Sequence, residues 1–193
     1  MLQGLYDWTM RLSASRHAIW ALAAVAFVES SFFPIPPDVL LIPMILAART
    51  RTWRLATVCT VASVLGGYFG YFVGLTLFGT VGEPVIAFYG TEHAFEVFTE
   101  KYNELGAWIV FTFGVTPFPY KVVTIASGVT QLDPLVFGVA SLASRGLRFF
   151  VVATLIWYFG PPIRAFVERY LGWVTLAFIV LLVGGFVLLK FVV

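Results

Sequence analysis

The chain has 193 residues, of which 60% are apolar, 18% aromatic and only 11% charged, with a formal net charge of +2 and a mean hydropathy of +0.93. Globular chains run at roughly 45–50% apolar and about 25% charged, so this chain carries more apolar surface than one core can hide from water, and its solvent is lipid. A soluble enzyme, a disordered linker and a disulfide scaffold are excluded, the last because Cys59 is the single cysteine, and the small net charge gives no reason to expect a nucleic acid partner.

In chain order, residues 2–17 carry Leu2, Leu5, Trp8 and Leu12 at helical spacing, with Asp7, Arg11 and Arg16 between them. This pattern predicts an interfacial helix. A signal peptide is the competing reading, since Ala24-Val25-Ala26 resembles a cleavage site, but the apolar pattern resumes at once beyond it.

Five apolar stretches follow, at 18–48, 55–82, 105–132, 134–163 and 171–193. Each exceeds the roughly 20 residues that a helix needs to cross a bilayer. The first is interrupted by Glu29-Ser-Ser-Phe-Phe-Pro34-Ile-Pro36-Pro37-Asp38 and the third by Thr116-Pro117-Phe118-Pro119-Tyr120-Lys121. Prolines remove backbone donors and push the preceding residue out of the helical region, and irregular backbone at membrane depth survives only inside protein or beside water. Both stretches are therefore expected to be re-entrant hairpins.

Charge supplies the orientation. Arg11 and Arg16 precede the first hairpin and Arg49, Arg51 and Arg54 follow it, so both of its ends are expected on the cytoplasmic side. Residues 55–82 then run outward to an acidic external segment at 83–104, which holds Glu83, Glu92, Glu96, Glu100 and Glu104. The second hairpin enters and leaves from outside. Asp133-Pro134 supplies a helix cap and first-turn proline, the helix to 163 returns inward, and 171–193 forms a C-terminal transmembrane helix.

Pro34-Ile-Pro36-Pro-Asp38 aligns with Pro117-Phe-Pro119-Tyr-Lys121, and apolar residues follow in both. One hairpin opens inward and the other outward, so the expected fold is an all-α integral membrane protein built from two inverted repeats, 18–82 and 105–163, in one membrane domain. Each repeat is a proline-broken hairpin plus a transmembrane helix. Binding sites in such folds lie at the broken helices.

At these residues the chain resembles the DedA family of bacterial membrane proteins, part of the wider group with the VTT or SNARE-associated domain. Glu29-x-x-Phe-Phe-Pro-x-Pro-Pro-Asp38 is similar to that family's acidic motif, and Gly114 to Gly128 is similar to its second hairpin. The resemblance covers roughly residues 18–165. It implies a multipass protein of the bacterial plasma membrane that moves a lipid phosphate carrier, such as undecaprenyl phosphate, or another phospholipid, linked to the proton-motive force. Glu29 and Asp38 match the family's embedded carboxylates. The arginine pattern that many members carry in the second hairpin is represented here by Lys121 alone.

Ionisable groups at membrane depth are costly, and the residues that bear them are candidates for function. Glu29 and Asp38 are candidate proton carriers, although Asp38 could instead cap a helix. Lys121, Arg145 and Arg148 are candidate phosphate ligands, with Arg145 and Arg148 on one helix face. Another register makes those two arginines interfacial anchors. His17 and His93 have no metal-ligand company, and no hydrolase, metalloprotease or phosphate-loop motif occurs, so neither metal, cofactor nor enzymatic activity is expected. Gly66-x-x-x-Gly70-x-x-x-Gly74 is a helix-packing stripe, acting within the chain or between copies in a homo-oligomer. The expected partners are membrane lipids, the lipid phosphate and protons. A proton-coupled exporter of small cations or drugs, and a non-transporting protein of envelope or division integrity, are the rival readings.

Overall fold

The computed structural model describes residues 18–31, 36–82, 92–116 and 119–160, with isolated positions between 84 and 90. The expected interfacial helix at 2–17, the C-terminal helix at 171–193, and Pro34 and Pro117 of the two breaks lie outside the described residues. All regular structure among those described is helical. Two helices have the length and apolar character to cross a membrane, one over Arg49–Thr80 and one over Pro134–Gly160.

Helix α1 covers Ala18–Ser31 and helix α2 covers Asp38–Ala47. The proline cluster accounts for the break between them. Pro36 and Pro37 end at a position where helix N–H groups have no partner in any case, so α2 starts directly behind them, with Asp38 in its first turn beside the positive end of the helix dipole. A short 3₁₀ turn at Arg49–Arg51 leads into α3, Thr52–Leu77, which continues through a π turn at Phe78–Gly82.

The glycine stripe of α3 is consumed inside the chain. A Cβ at Gly66 would collide with the Phe27 carbonyl of α1, one at Gly70 with the Thr124 hydroxyl, and one at Gly74 with the Ile125 carbonyl. Absence of side chains thus lets two helices lie backbone-close on α3, the contact that small-residue spacing favours in lipid.

The acidic segment contains an element that its charge pattern did not announce: helix α4, Glu92–Glu104. His93, Glu96, Glu100, Lys101 and Glu104 are exposed, while Tyr102 turns inward. Helices α5, Gly106–Val115, and α6, Tyr120–Val129, flank the second proline break. The chain leaves α6 through Gln131 at φ 53°, and Leu132 N–H reaches back to the Ser127 carbonyl at 2.9 Å, a closure of the Schellman type. Helix α7, Pro134–Gly160, begins as expected: Asp133 Oδ1 accepts from the backbone N–H groups of Leu135 and Val136 at 2.8 and 2.9 Å.

Helices α3 and α7 run antiparallel. Trp53 stacks near Phe150 and Trp157 at one end, and at the other the Tyr68 and Tyr71 hydroxyls donate to the carbonyls of Pro134 and Leu132. The interior is divided into two apolar clusters. One gathers Leu22, Leu41, Ile45, Leu55, Cys59 and Phe149, and the other Tyr71, Tyr102, Val110, Tyr120, Leu132 and Phe137. On α3 and on α7 the clusters meet near mid-helix, and the side chains there are Ser63, Ser141, Ser144 and Arg145, all buried. The outer faces of the same two helices are apolar, with Leu65, Phe72, Leu135 and Val139 exposed, as lipid contact requires.

Candidate functional site

The polar belt between the two clusters is built from the broken helices and α7. Glu29 stands two residues before the end of α1, Asp38 opens α2, Ser63 lies midway along α3, Tyr120 opens α6, and Arg145 and Arg148 lie midway along α7. None of these elements alone could hold a charge there; a guanidinium without a partner at such depth costs several kcal/mol.

Arg145 is fully buried. Its Nη2 donates to Glu29 Oε2 at 2.6 Å and its Nε to Ser63 Oγ at 2.6 Å. The rings of Tyr120 and Phe149 each lie 4.8 Å from its central carbon, so the cation is held by cation–π contact as well as by the ion pair. Tyr120 is in turn fastened to α7 by its hydroxyl, which donates to Ser141 Oγ.

Arg148, one turn further along α7, pairs with Asp38: Nη2 to Oδ2 is 2.9 Å, and Nη1 donates to the Thr116 carbonyl at 3.1 Å. This pair is more open, with side-chain exposures of 19% and 22% against 0% and 14% for Arg145 and Glu29. Asp38 therefore acts as an ion-pair partner and not as a side-chain cap; Pro37 occupies the cap position of α2 with no side-chain bond. Both arginines lie midway along α7 and face the acids of α1 and α2.

Lys121 follows Tyr120 at the start of α6 and is half-buried, its carbonyl accepting from Thr124 Oγ1 at 2.9 Å. Thr124 also donates to the Ser30 carbonyl at 3.2 Å, which ties α6 to the end of α1 at the same level. Two buried polar atoms in the belt, Asp38 Oδ1 and Arg145 Nη1, have no hydrogen-bond partner among the described residues. Buried groups of that kind call for a function or a bound species.

On the acidic side, Tyr102 of α4 shares a hydrogen bond with Ser127 Oγ at 3.0 Å, and Asn103 donates to the Thr130 carbonyl at 2.8 Å. Burial pushes the Tyr102 phenol up, with the Ser127 hydrogen bond opposing it. His93 is exposed. Sequence reasoning passed over Ser30, Ser63 and Tyr120. A signal existed for the first two, since Ser30 adjoins Glu29, and Ser63 is a polar residue three positions before the glycine stripe.

A model of the VTT domain matches residues 35–158. The chain belongs to the VTT domain family, the DedA group of membrane proteins. Among its relatives, an uncharacterized protein of Haemophilus influenzae is 34% identical over 96% of both chains. The uncharacterized HI0703 homologue of Histophilus somni is 36% identical, over 93% of this chain and 96% of its own. No solved structure matches. The matched part of the VTT domain contains Asp38, Ser63, Tyr120, Lys121, Arg145 and Arg148, and Glu29 lies just ahead of it.

Proposed function

We propose that this VTT domain carries an amphiphile with an anionic phosphate headgroup, a lipid phosphate carrier or a phospholipid, across the bacterial plasma membrane, with movement linked to proton uptake by Glu29 or Asp38. The observation that carries the reading is the pairing of two arginines midway along α7, a helix of spanning length, with two carboxylates from the short helices α1 and α2. A guanidinium offers phosphate the same bidentate geometry that it offers carboxylate, so a phosphate can replace a carboxylate that has taken up a proton. The partnerless Arg145 Nη1 is one N–H group for such an oxygen. Lys121 and Arg148 supply further positive charge.

The same reading takes 18–48 and 105–132 as re-entrant hairpins of two inverted repeats in a multipass protein. Contacts along α7 support it. Asp38 at the start of α2 meets Arg148 in mid-helix, and the Arg49 guanidinium beyond the end of α2 lies against Gly160. In the second half, Gly106 at the start of α5 lies against Leu132, whereas Gly114 near its end lies against Ser144.

The cation-exporter reading is weaker because Glu29 and Asp38 each already face a guanidinium, which leaves no uncompensated negative charge for a cation among the described residues of the belt. The test is reconstitution in liposomes with a short-chain fluorescent lipid phosphate, followed by its movement between leaflets with and without a pH gradient. Movement that depends on protein and is accelerated by the gradient is expected. Equal rates in protein-free and protein-containing liposomes would overturn the reading.

A further inference from the structure

Four side chains of the belt close a hydrogen-bonded ring. Arg145 Nη2 meets Glu29 Oε2 at 2.6 Å, and Arg145 Nε meets Ser63 Oγ at 2.6 Å. Ser63 Oγ lies 2.6 Å from Ser30 Oγ, and Ser30 Oγ lies 3.1 Å from the same Glu29 Oε2. Three helices contribute: α1 supplies Glu29 and Ser30, α3 supplies Ser63, and α7 supplies Arg145.

The distances alone leave the direction of the Ser30–Ser63 bond open, but the chemistry of the neighbours determines it. Arginine has only donors, an ionised carboxylate has only acceptors, and a hydroxyl has one proton to give. Ser63 thus accepts from Arg145 Nε, and Ser30 gives its proton to Glu29. Ser63 is left to give its proton to Ser30. Both paths around the ring, the direct one through Nη2 and the one through two hydroxyls, run from the guanidinium to the carboxylate and converge on one oxygen.

We propose that Ser30 and Ser63 are positioning residues that set the pH at which Glu29 takes up a proton, by closing a ring whose every donor is aimed at the carboxylate. Hydrogen bonds to the charged form of an acid favour that form, and bonds in series polarise one another. A proton arriving at Glu29 removes the charge on which both paths end. If the ring then reverses, with Glu29 donating to Ser30 and Ser30 to Ser63, the Ser63 proton has no acceptor within the ring. Ser63 and Arg145 are fully buried, so water cannot cheaply replace what is lost. Every donor of the ring is therefore satisfied only with Glu29 as acceptor, and a reversal of the ring would weaken the join between α1, α3 and α7 together.

Other ionisable groups lie near the same carboxylate. Arg145 faces it from α7, Cys59 lies within electrostatic reach on α3, and Tyr120 is within reach on α6, next to Lys121. The Asp38–Arg148 pair lies beyond, between α2 and α7. None of these groups is itself substituted when a serine is replaced, so the comparison reads the hydroxyl contribution.

The inference rests on the transport reading only in taking Glu29 as a titrating group, and its test needs no transported lipid. The protein in lipid nanodiscs is titrated while the infrared carboxylic C=O band is recorded, with the Glu29 band identified by its loss in Glu29→Gln and the Asp38 band by its loss in Asp38→Asn. Ser30→Ala, which removes the hydroxyl that donates to Glu29, is expected to move the Glu29 midpoint to higher pH by about one unit, what a hydrogen bond to a charged group is worth, and Ser63→Ala, which removes only the hydroxyl that polarises Ser30, moves it in the same direction by less. The Asp38 midpoint stays where it is. Ser63→Thr, which keeps the hydroxyl, restores the Glu29 midpoint, and the double alanine variant moves it no further than Ser30→Ala alone, because along this path Ser63 acts on Glu29 only through Ser30. An unmoved Glu29 midpoint in the variants that fold, additive shifts in the double variant, or no band lost in Glu29→Gln overturns the proposal. Failure of lipid movement in liposomes with these shifts intact would refute the transport reading alone.

Discussion

Arg145 Nη2 lies 2.6 Å from Glu29 Oε2 across 116 residues of sequence. The bond joins the end of an apolar helix that is too short to span a bilayer to the middle of one that is long enough. A carboxylate and a guanidinium at such depth are each unfavourable alone, and each removes much of the other's cost. The pair thereby specifies how α1 docks on the bundle, since a rotation of either helix would leave two buried charges without partners.

Removal of one partner of that pair exposes the asymmetry between the two arginines. Arg145→Leu is expected to destabilise the protein by about 3–5 kcal/mol, the cost of leaving a buried charge uncompensated. Arg148→Leu acts on a pair that is partly open, and is expected to cost only about 1 kcal/mol. Thermal unfolding in detergent micelles measures both, and equal losses would contradict the burial difference.

The carboxylates are expected to matter for movement more than for folding. Glu29→Gln and Asp38→Asn keep the side-chain size and remove the titratable proton. Each should abolish gradient-driven transfer of the lipid phosphate in liposomes while leaving a monodisperse, membrane-inserted protein. Unchanged transfer in both would remove the coupling role.

Helix packing makes a separate claim. Gly66→Val and Gly74→Val place side-chain atoms against the Phe27 and Ile125 carbonyls, and overpacking of this kind costs about 1–3 kcal/mol or more. Lower unfolding temperatures with an unchanged oligomeric state are expected. A change of oligomeric state at wild-type stability would mean that the stripe packs between copies.

Labelling tests the crossing of α3. In a Cys59→Ala background, cysteines at the exposed positions Thr50 and His93 should react with a membrane-impermeant reagent from opposite faces of the bilayer. Reaction of both from one face would show that the long helix between them does not cross.

Much of the chain was legible before any coordinates. Its class followed from composition, because no packing of 60% apolar residues at this length hides them all from water. The proline clusters marked where helices stop, since a missing N–H and a restricted preceding residue act locally, and Asp133-Pro134 marked where α7 starts for the same local reason. The acidic segment was legible as polar but not as helix α4, whose order comes from Tyr102 and Asn103 reaching Ser127 and Thr130 across the sequence.

What only the tertiary structure decided is partnership. Sequence identified Glu29, Asp38, Arg145 and Arg148 as charges in apolar surroundings, yet periodicity was equally consistent with arginines at the membrane interface. Which acid meets which arginine depends on the rotation and depth of three packed helices. Those are set by contacts remote in sequence, such as the fit of Phe27 and Thr124 onto the bare backbone of α3. Ser30 and Ser63 illustrate the limit most plainly. A serine in an apolar helix is unremarkable until the fold brings a second serine, a carboxylate and a guanidinium within hydrogen-bond distance of it, because a hydrogen bond depends on position to a fraction of an ångström and local sequence carries no such information.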